Sequence, residues 1–116
     1  MTEEIPKLPH HKLIAYGLAR QLLRAVQEAQ VADTTLRSQA LRAAKSACLN
    51  CAEGAARVTR PDKARAFTIA RGEAVEAAAA IEIASECGDT TREAWIGVWR
   101  IANELVAVLT GLIRPR

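Results

Sequence analysis

An all-α domain, folded as an antiparallel up-down-up-down four-helix bundle, is what this sequence predicts, and three observations carry the prediction. Alanine, the strongest intrinsic helix former, fills 24 of the 116 positions. Strand formers are scarce, and the aromatic residues number one Phe, one Tyr and two Trp. Four segments of about twenty residues repeat apolar side chains at spacings of three and four, separated by short breaks that carry helix caps. The length suits one domain with one core.

Residues 1–11 carry Pro6 and Pro9 without periodicity and read as an extended lead-in; the bundle then occupies 12–116. The first helix is expected from about Lys12 to Val31, with Leu18, Leu22, Ala25 or Val26, and Ala29 on one face. A break at 32–35 offers Asp33 or Thr34 as a cap. The second helix is expected over about Thr35–Val58. Its main stripe is Leu41, Ala44, Cys48, Cys51, Ala55 and Val58, and Ala40, Ala43, Ala47 and Ala56 lie off it. A helix apolar on several sides must be covered on several sides, and neighbouring subunits are the expected cover.

Pro61 ends that helix and suits the first turn of the third, expected over Asp62–Cys87 with the stripe Phe67, Ala70, Ala74, Ala77, Ile81 and Ala84. Gly88 is a natural stop, and Asp89-Thr90-Thr91 supplies a new cap. The fourth helix, about Thr91–Ile113, carries Trp95, Val98/Trp99, Ala102, Leu105/Val106, Leu109 and Leu112/Ile113. Both tryptophans continue the apolar stripe and are expected in the core, although a pair one turn apart could also anchor a partner.

Cys48-x-x-Cys51 resembles a redox or metal motif but is placed wrongly for either. A redox pair normally opens a helix, where free N–H groups lower a thiol pKa, and this pair lies about thirteen residues inside one. Zinc needs about four ligands, and no second pair exists. If the second and third helices form a hairpin turning near 60–61, Cys51 falls level with Ala70, Cys48 near Glu73, and Gly54 opposite Phe67. That pairing would explain a glycine inside a helix, where it costs about 1 kcal/mol relative to Ala. The cysteines are therefore expected to be core fittings, with no metal and no cofactor. Ser46, Asn50, Glu53 and Arg57 share another face, and the same register brings Asn50, Glu53, Arg71 and Glu76 close enough for a polar cluster that would set register or assembly.

Ser46, Asn50, Ala52, Glu53, Gly54 and Arg57, followed by Phe67, Ala70, Gly72 and Glu76, resemble the pattern S-I-x-x-N-I-A-E-G-x-x-R … F-x-x-I/L-A-x-G-S-x-x-E of the 23S ribosomal RNA intervening-sequence family. The resemblance runs over about residues 12–113. Ala47 and Cys51 stand where the family usually has Ile, and Glu73 where it usually has Ser. The resemblance implies a four-helix bundle assembled as a ring, commonly a pentamer, without an established enzymatic activity. A structurally similar set, the accessory variability determinant proteins of diversity-generating retroelements, forms basic pentamers that associate with nucleic acid and a reverse transcriptase.

The charge favours the same direction. Net charge is +3, and twelve of the sixteen basic residues are Arg, the side chain suited to phosphate. The basic excess lies in residues 1–60, so Arg20, Arg24, Arg37, Arg42, Lys45, Arg57 and Arg60 are the candidate nucleic-acid contacts. The family-signature residues Ser46, Asn50, Glu53, Gly54, Arg57, Phe67, Arg71, Gly72 and Glu76 are assigned to structure or assembly. Partners are then further copies of the chain, RNA or DNA, and alternatively a reverse transcriptase served as an adaptor. A di-iron bundle enzyme needs Glu-x-x-His pairs, which are missing, so a non-enzymatic protein is expected. With three cysteines, no signal-like segment and no apolar run near the ~20 residues of a membrane span, a cytoplasmic protein is expected.

Overall fold

The computed structural model describes residues 4–114 and contains four helices: α1 (Ile14–Glu28), α2 (Thr34–Ala56), α3 (Arg60–Glu86) and α4 (Arg92–Ile113). A single 3-10 turn, Pro9–Lys12, precedes them, inside the segment expected to be extended. It is closed by the Leu8 amide donating to His11 Nδ1 at 2.9 Å. His10 meets the Tyr16 ring edge-on at a centroid distance of 4.6 Å.

The breaks are made by the residues with breaking chemistry. Asp33 accepts the Leu36 amide at 2.9 Å, Thr59 the Asp62 amide at 3.3 Å, and Thr91 the Ala94 amide at 3.0 Å, so each later helix begins on a side-chain cap. Gly88 takes φ 77°, the left-handed conformation that ends α3. The first helix ends earlier than expected, at Glu28, because Gln30 turns left-handed at φ 46°.

Consecutive helices pack together and α1 closes the ring against α4, with α2 and α3 sharing the most extensive seam. Directions alternate. Along α2 toward its C-terminus the partners on α3 run backwards, from Glu76 and Glu73 opposite Arg42 to Phe67 opposite Gly54. At one end of the bundle the α1–α2 and α3–α4 connections are tied by the Ala32 amide to the Asp89 carbonyl (2.9 Å) and Thr90 Oγ1 to the Ala29 carbonyl (2.6 Å). At the other end Lys63 Nζ donates to the Gly54 and Ala55 carbonyls at 3.2 and 3.1 Å, closing the C-terminus of α2.

The core is built mostly of alanine, with Leu22, Ile81, Leu105, Leu109 and Val98 among its largest fully buried side chains. The α3 stripe is buried throughout, as its spacing predicts. The α2 stripe is not the expected one. Its buried face is Ala40, Ala43, Ala44, Ala47, Cys51 and Gly54, whereas Leu41 and Cys48 lie at the edge and Val58 is exposed beyond the helix. Ala40, Ala43 and Ala47 thus need no neighbouring subunit, because the chain's own helices already cover them. Only Ala56 of that group is exposed.

α4 is also corrected. Val98, Ala102, Leu105 and Leu109 face inward, while Trp95 sits at the edge and Trp99 is 50% exposed. Among the described residues one helix, α4, is long and apolar enough to cross a membrane, which the expectation of no such run overlooked. In the bundle its inward face is buried among the other helices.

Candidate nucleic-acid interface

The seven basic candidates fall into two groups. Arg20 and Arg24 lie one turn apart on the exposed side of α1, with the Arg20 guanidinium 5.7 Å from the centroid of the Tyr16 ring. Lys45 is exposed on α2, one turn before Cys48. Arg20 is near enough to Cys48 for its charge to pull that thiol's pKa down, against the larger upward effect of burial. Arg20 of α1 thus lies beside Cys48 of α2, and Arg24 and Lys45 stand one turn from these two along their own helices. Among the described residues none of the three has a carboxylate within 4.0 Å.

The other four candidates are engaged elsewhere. Arg42 holds Glu73 at 3.0 Å and also Glu76, and its pKa is raised first by the hydrogen bond to Glu73 and then by the two charges. Arg57 is bound to Glu53 at 2.5 Å, which raises its pKa in the same way. Arg37 donates to the Val31 carbonyl at 3.2 Å and Arg60 to the Arg114 carbonyl at 2.7 Å. Arg42 and Arg57 face the α2–α3 side, where the charges are balanced. A shallow cleft of about 410 Å³ on that side is lined by Glu53, Arg57, Asp62, Arg65, Ala66 and Ile69.

The signature residues do not converge into the expected polar cluster. Asn50 Nδ2 donates within its own helix, to the Ser46 carbonyl at 2.9 Å and Ser46 Oγ at 3.1 Å. Arg71 turns the other way, its Nε donating to Thr110 Oγ1 of α4 at 2.9 Å. Glu76 is taken by Arg42. The reason is angular: Arg71 lies on the α4 side of α3, while Glu73 and Glu76 lie on its α2 side, so one network cannot gather all of them. Thr110, Glu73 and Lys63 were missed as partners. The hairpin register puts Arg42 level with residue 79, one turn from Glu76 and nearly two from Glu73, so the pair depends on the reach of the Arg side chain and not on the register.

Gly54 and Phe67 meet as predicted. A Cβ on Gly54 would lie 2.6 and 2.8 Å from ring carbons of Phe67, which is itself 4% exposed. Gly72 has no such neighbour; a methyl there would meet nothing within 4 Å.

Cys51 is fully buried and Cys48 half-buried, with Cys87 exposed. Burial pushes the Cys51 thiol up to about 12, with the neighbouring Cys48 adding to the effect. Both shifts oppose thiolate formation, so the Cys-x-x-Cys pair is not activated. Among the described residues no three His, Cys, Asp or Glu side chains stand close enough to hold a metal.

A closed four-helix bundle with an alanine seam between its second and third helices, and a glycine cut to admit one phenyl ring, defines the class of this protein. Residues 11–111 match the family described as 23S rRNA-intervening sequence protein, and the chain belongs to that family. Its fold is similar to that of a crystal structure from Bacteroides thetaiotaomicron, described as a protein with unknown function from the S23 ribosomal protein family. The TM-score is 0.79 at 20% identity, over 88% of this chain and 100% of the other. No curated protein matches the chain.

Proposed function

We propose that this protein is a non-enzymatic homo-oligomer, a pentamer in the arrangement its family resemblance implies, that associates with RNA or DNA in the cytoplasm. The observation that carries the nucleic-acid reading is the α1–α2 set of Arg20, Arg24 and Lys45, exposed and, among the described residues, with no carboxylate within 4.0 Å; Arg37 and Arg60 also lack one but donate to backbone carbonyls, while Arg42 and Arg57 are ion-paired. Repeating such a patch around a ring multiplies a modest monomer charge into a field that attracts phosphate. Self-association is supported by Gly72, an exposed glycine inside a helix for which a single chain supplies no steric reason.

Filter binding to mixed-sequence RNA and single-stranded DNA over a salt series tests the reading. Affinity should fall steeply as salt rises. Arg20→Ala/Arg24→Ala/Lys45→Ala should abolish binding, and Arg42→Ala/Arg57→Ala should preserve most of it. Salt-independent affinity, or equal losses in both variants, would refute phosphate contact through these three residues.

A second reading is favoured by Trp99, half-exposed on α4: a protein-interaction scaffold, for example an adaptor for a reverse transcriptase. It predicts binding that survives the triple cation variant.

A further inference from the structure

Two features lie on opposite sides of the bundle and match each other. The first is a groove between α3 and α4, about 240 Å³ in volume, lined by Val75, Ala78, Ala79, Trp95, Trp99 and Val106. The two alanines leave the floor open, and the indoles form a wall. Glu82 belongs to this groove, and Glu86 to the hollow that continues it past Trp95. The volume lies below the ~300 Å³ at which small-molecule pockets usually begin, so the groove suits side chains delivered by a peptide.

The second feature is the N-terminal arm. Its sequence, Ile5-Pro6-Lys7-Leu8-Pro9, runs a Pro-x-x-P from beside an exposed Ile5 (82%) into the first residue of the 3-10 turn, with Leu8 58% exposed. Leu8 has φ −92° and ψ 167°, an extended conformation near that of a polyproline helix. Such segments dock into aromatic-lined grooves, because their prolines have already removed much of the conformational entropy that ordering would cost. Lys7 supplies charge opposite to Glu82 and Glu86, which with the single cation Arg92 leave that end of the groove net acidic.

We infer that the Pro-x-x-P arm of one chain docks in the tryptophan-lined α3–α4 groove of a second copy. The arm cannot serve its own groove. Its 3-10 turn packs on α1 and α2 alone among the helices. From there residues 4–8 reach at most ~17 Å even when fully extended, and the α3–α4 groove lies on the far side of the bundle from α1 and α2. The contact is thus between unlike surfaces, the arrangement that propagates into rings. It rests on the self-association proposed above and names the surfaces responsible.

The test compares the full-length protein with Ile5→Ser/Leu8→Ser, an exposed pair whose loss leaves the bundle core untouched. Sedimentation should show an oligomer for the unmodified chain, and the variant's dissociation constant should rise about tenfold or more. Tryptophan emission should move to longer wavelength as Trp99 is uncovered. A crosslink gives an independent readout in a Cys87→Ser background, where the exposed native thiol is removed. A Leu8→Cys chain mixed with a Val75→Cys chain should form a disulfide between chains on mild oxidation. An oligomer of unchanged mass and emission in the arm variant, with no crosslink, overturns the inference while leaving self-association intact; a different protein would then be the groove's occupant. An unmodified chain that is monomeric at every concentration overturns both.

Discussion

Gly54 shows how one hydrogen atom in place of a methyl can set the register of a helical hairpin. Gly54→Ala gains up to about 1 kcal/mol of helix propensity, but the new methyl meets the buried Phe67 ring, and overpacking costs ~1–3 kcal/mol. A net loss of stability is expected in urea denaturation, and Gly54→Ala/Phe67→Leu should recover part of it because the shorter side chain vacates the space. If Gly54→Ala alone is as stable as the native chain, the ring is not what requires the glycine. At Cys51 the sign of the pH effect follows from burial. The folded-state pKa is raised from the ordinary 9.0 to about 12, so the folded chain keeps a proton that the unfolded chain loses. The stabilisation is complete below pH 9 and declines as pH rises from 9 toward 12. Thermal melts should therefore show a slope in this window that is shallower in Cys51→Ala. In the native state Cys87 should react first with a thiol reagent, and Cys51 only on unfolding.

Among the elements, α2 departs furthest from what its residues suggest. Of its three leucines, Leu36 and Leu41 lie at an edge and Leu49 is 70% exposed, while alanines fill the buried face. Periodicity is most readable where large side chains mark the inner face. A helix in which both faces carry alanine has a weak signal, and Leu41 and Val58 then mislead. Ala47→Leu should destabilise by ~1–3 kcal/mol through overpacking, whereas Ala56→Leu, on the exposed last turn, should stay within about 0.5 kcal/mol. Equal effects at the two positions would mean that the alanine seam is not closely packed. In α3 the reading was better, because Phe67 and Ile81 are buried and fix the phase of the alanines between them. In α4 the same logic failed at Trp99. Val98 takes the inward position, and the indole is left at the rim of the groove beside α3.

For the whole molecule, charge separation follows from helix pairing. The α1–α2 side gathers Arg20, Arg24 and Lys45, while the acidic residues of α3 neutralise Arg42, and Glu53 neutralises Arg57 on its own helix. A count of basic residues along the chain could find the basic half but could not tell a free cation from a paired one, since Glu73 and Glu76 lie more than thirty positions from Arg42. Neutralising Glu73 and Glu76 together should release Arg42. Glu73→Gln/Glu76→Gln is therefore expected to strengthen RNA binding in the filter assay and to steepen its salt dependence by about one phosphate contact, near 0.7 in logarithmic slope. Unchanged affinity would mean that the α2–α3 side stays remote from the bound strand.

By itself the sequence determined the four helices, their caps, the hairpin register that joins Gly54 to Phe67, and the family, because these depend on local propensities and on neighbours one turn apart. The tertiary structure alone decided which alanines form the seam, which way Arg71 and the tryptophans turn, and which cations remain free. Those outcomes depend on the rotation of each helix about its axis, and in an alanine-rich chain that rotation is set by packing against the other three helices rather than by any helix's own pattern.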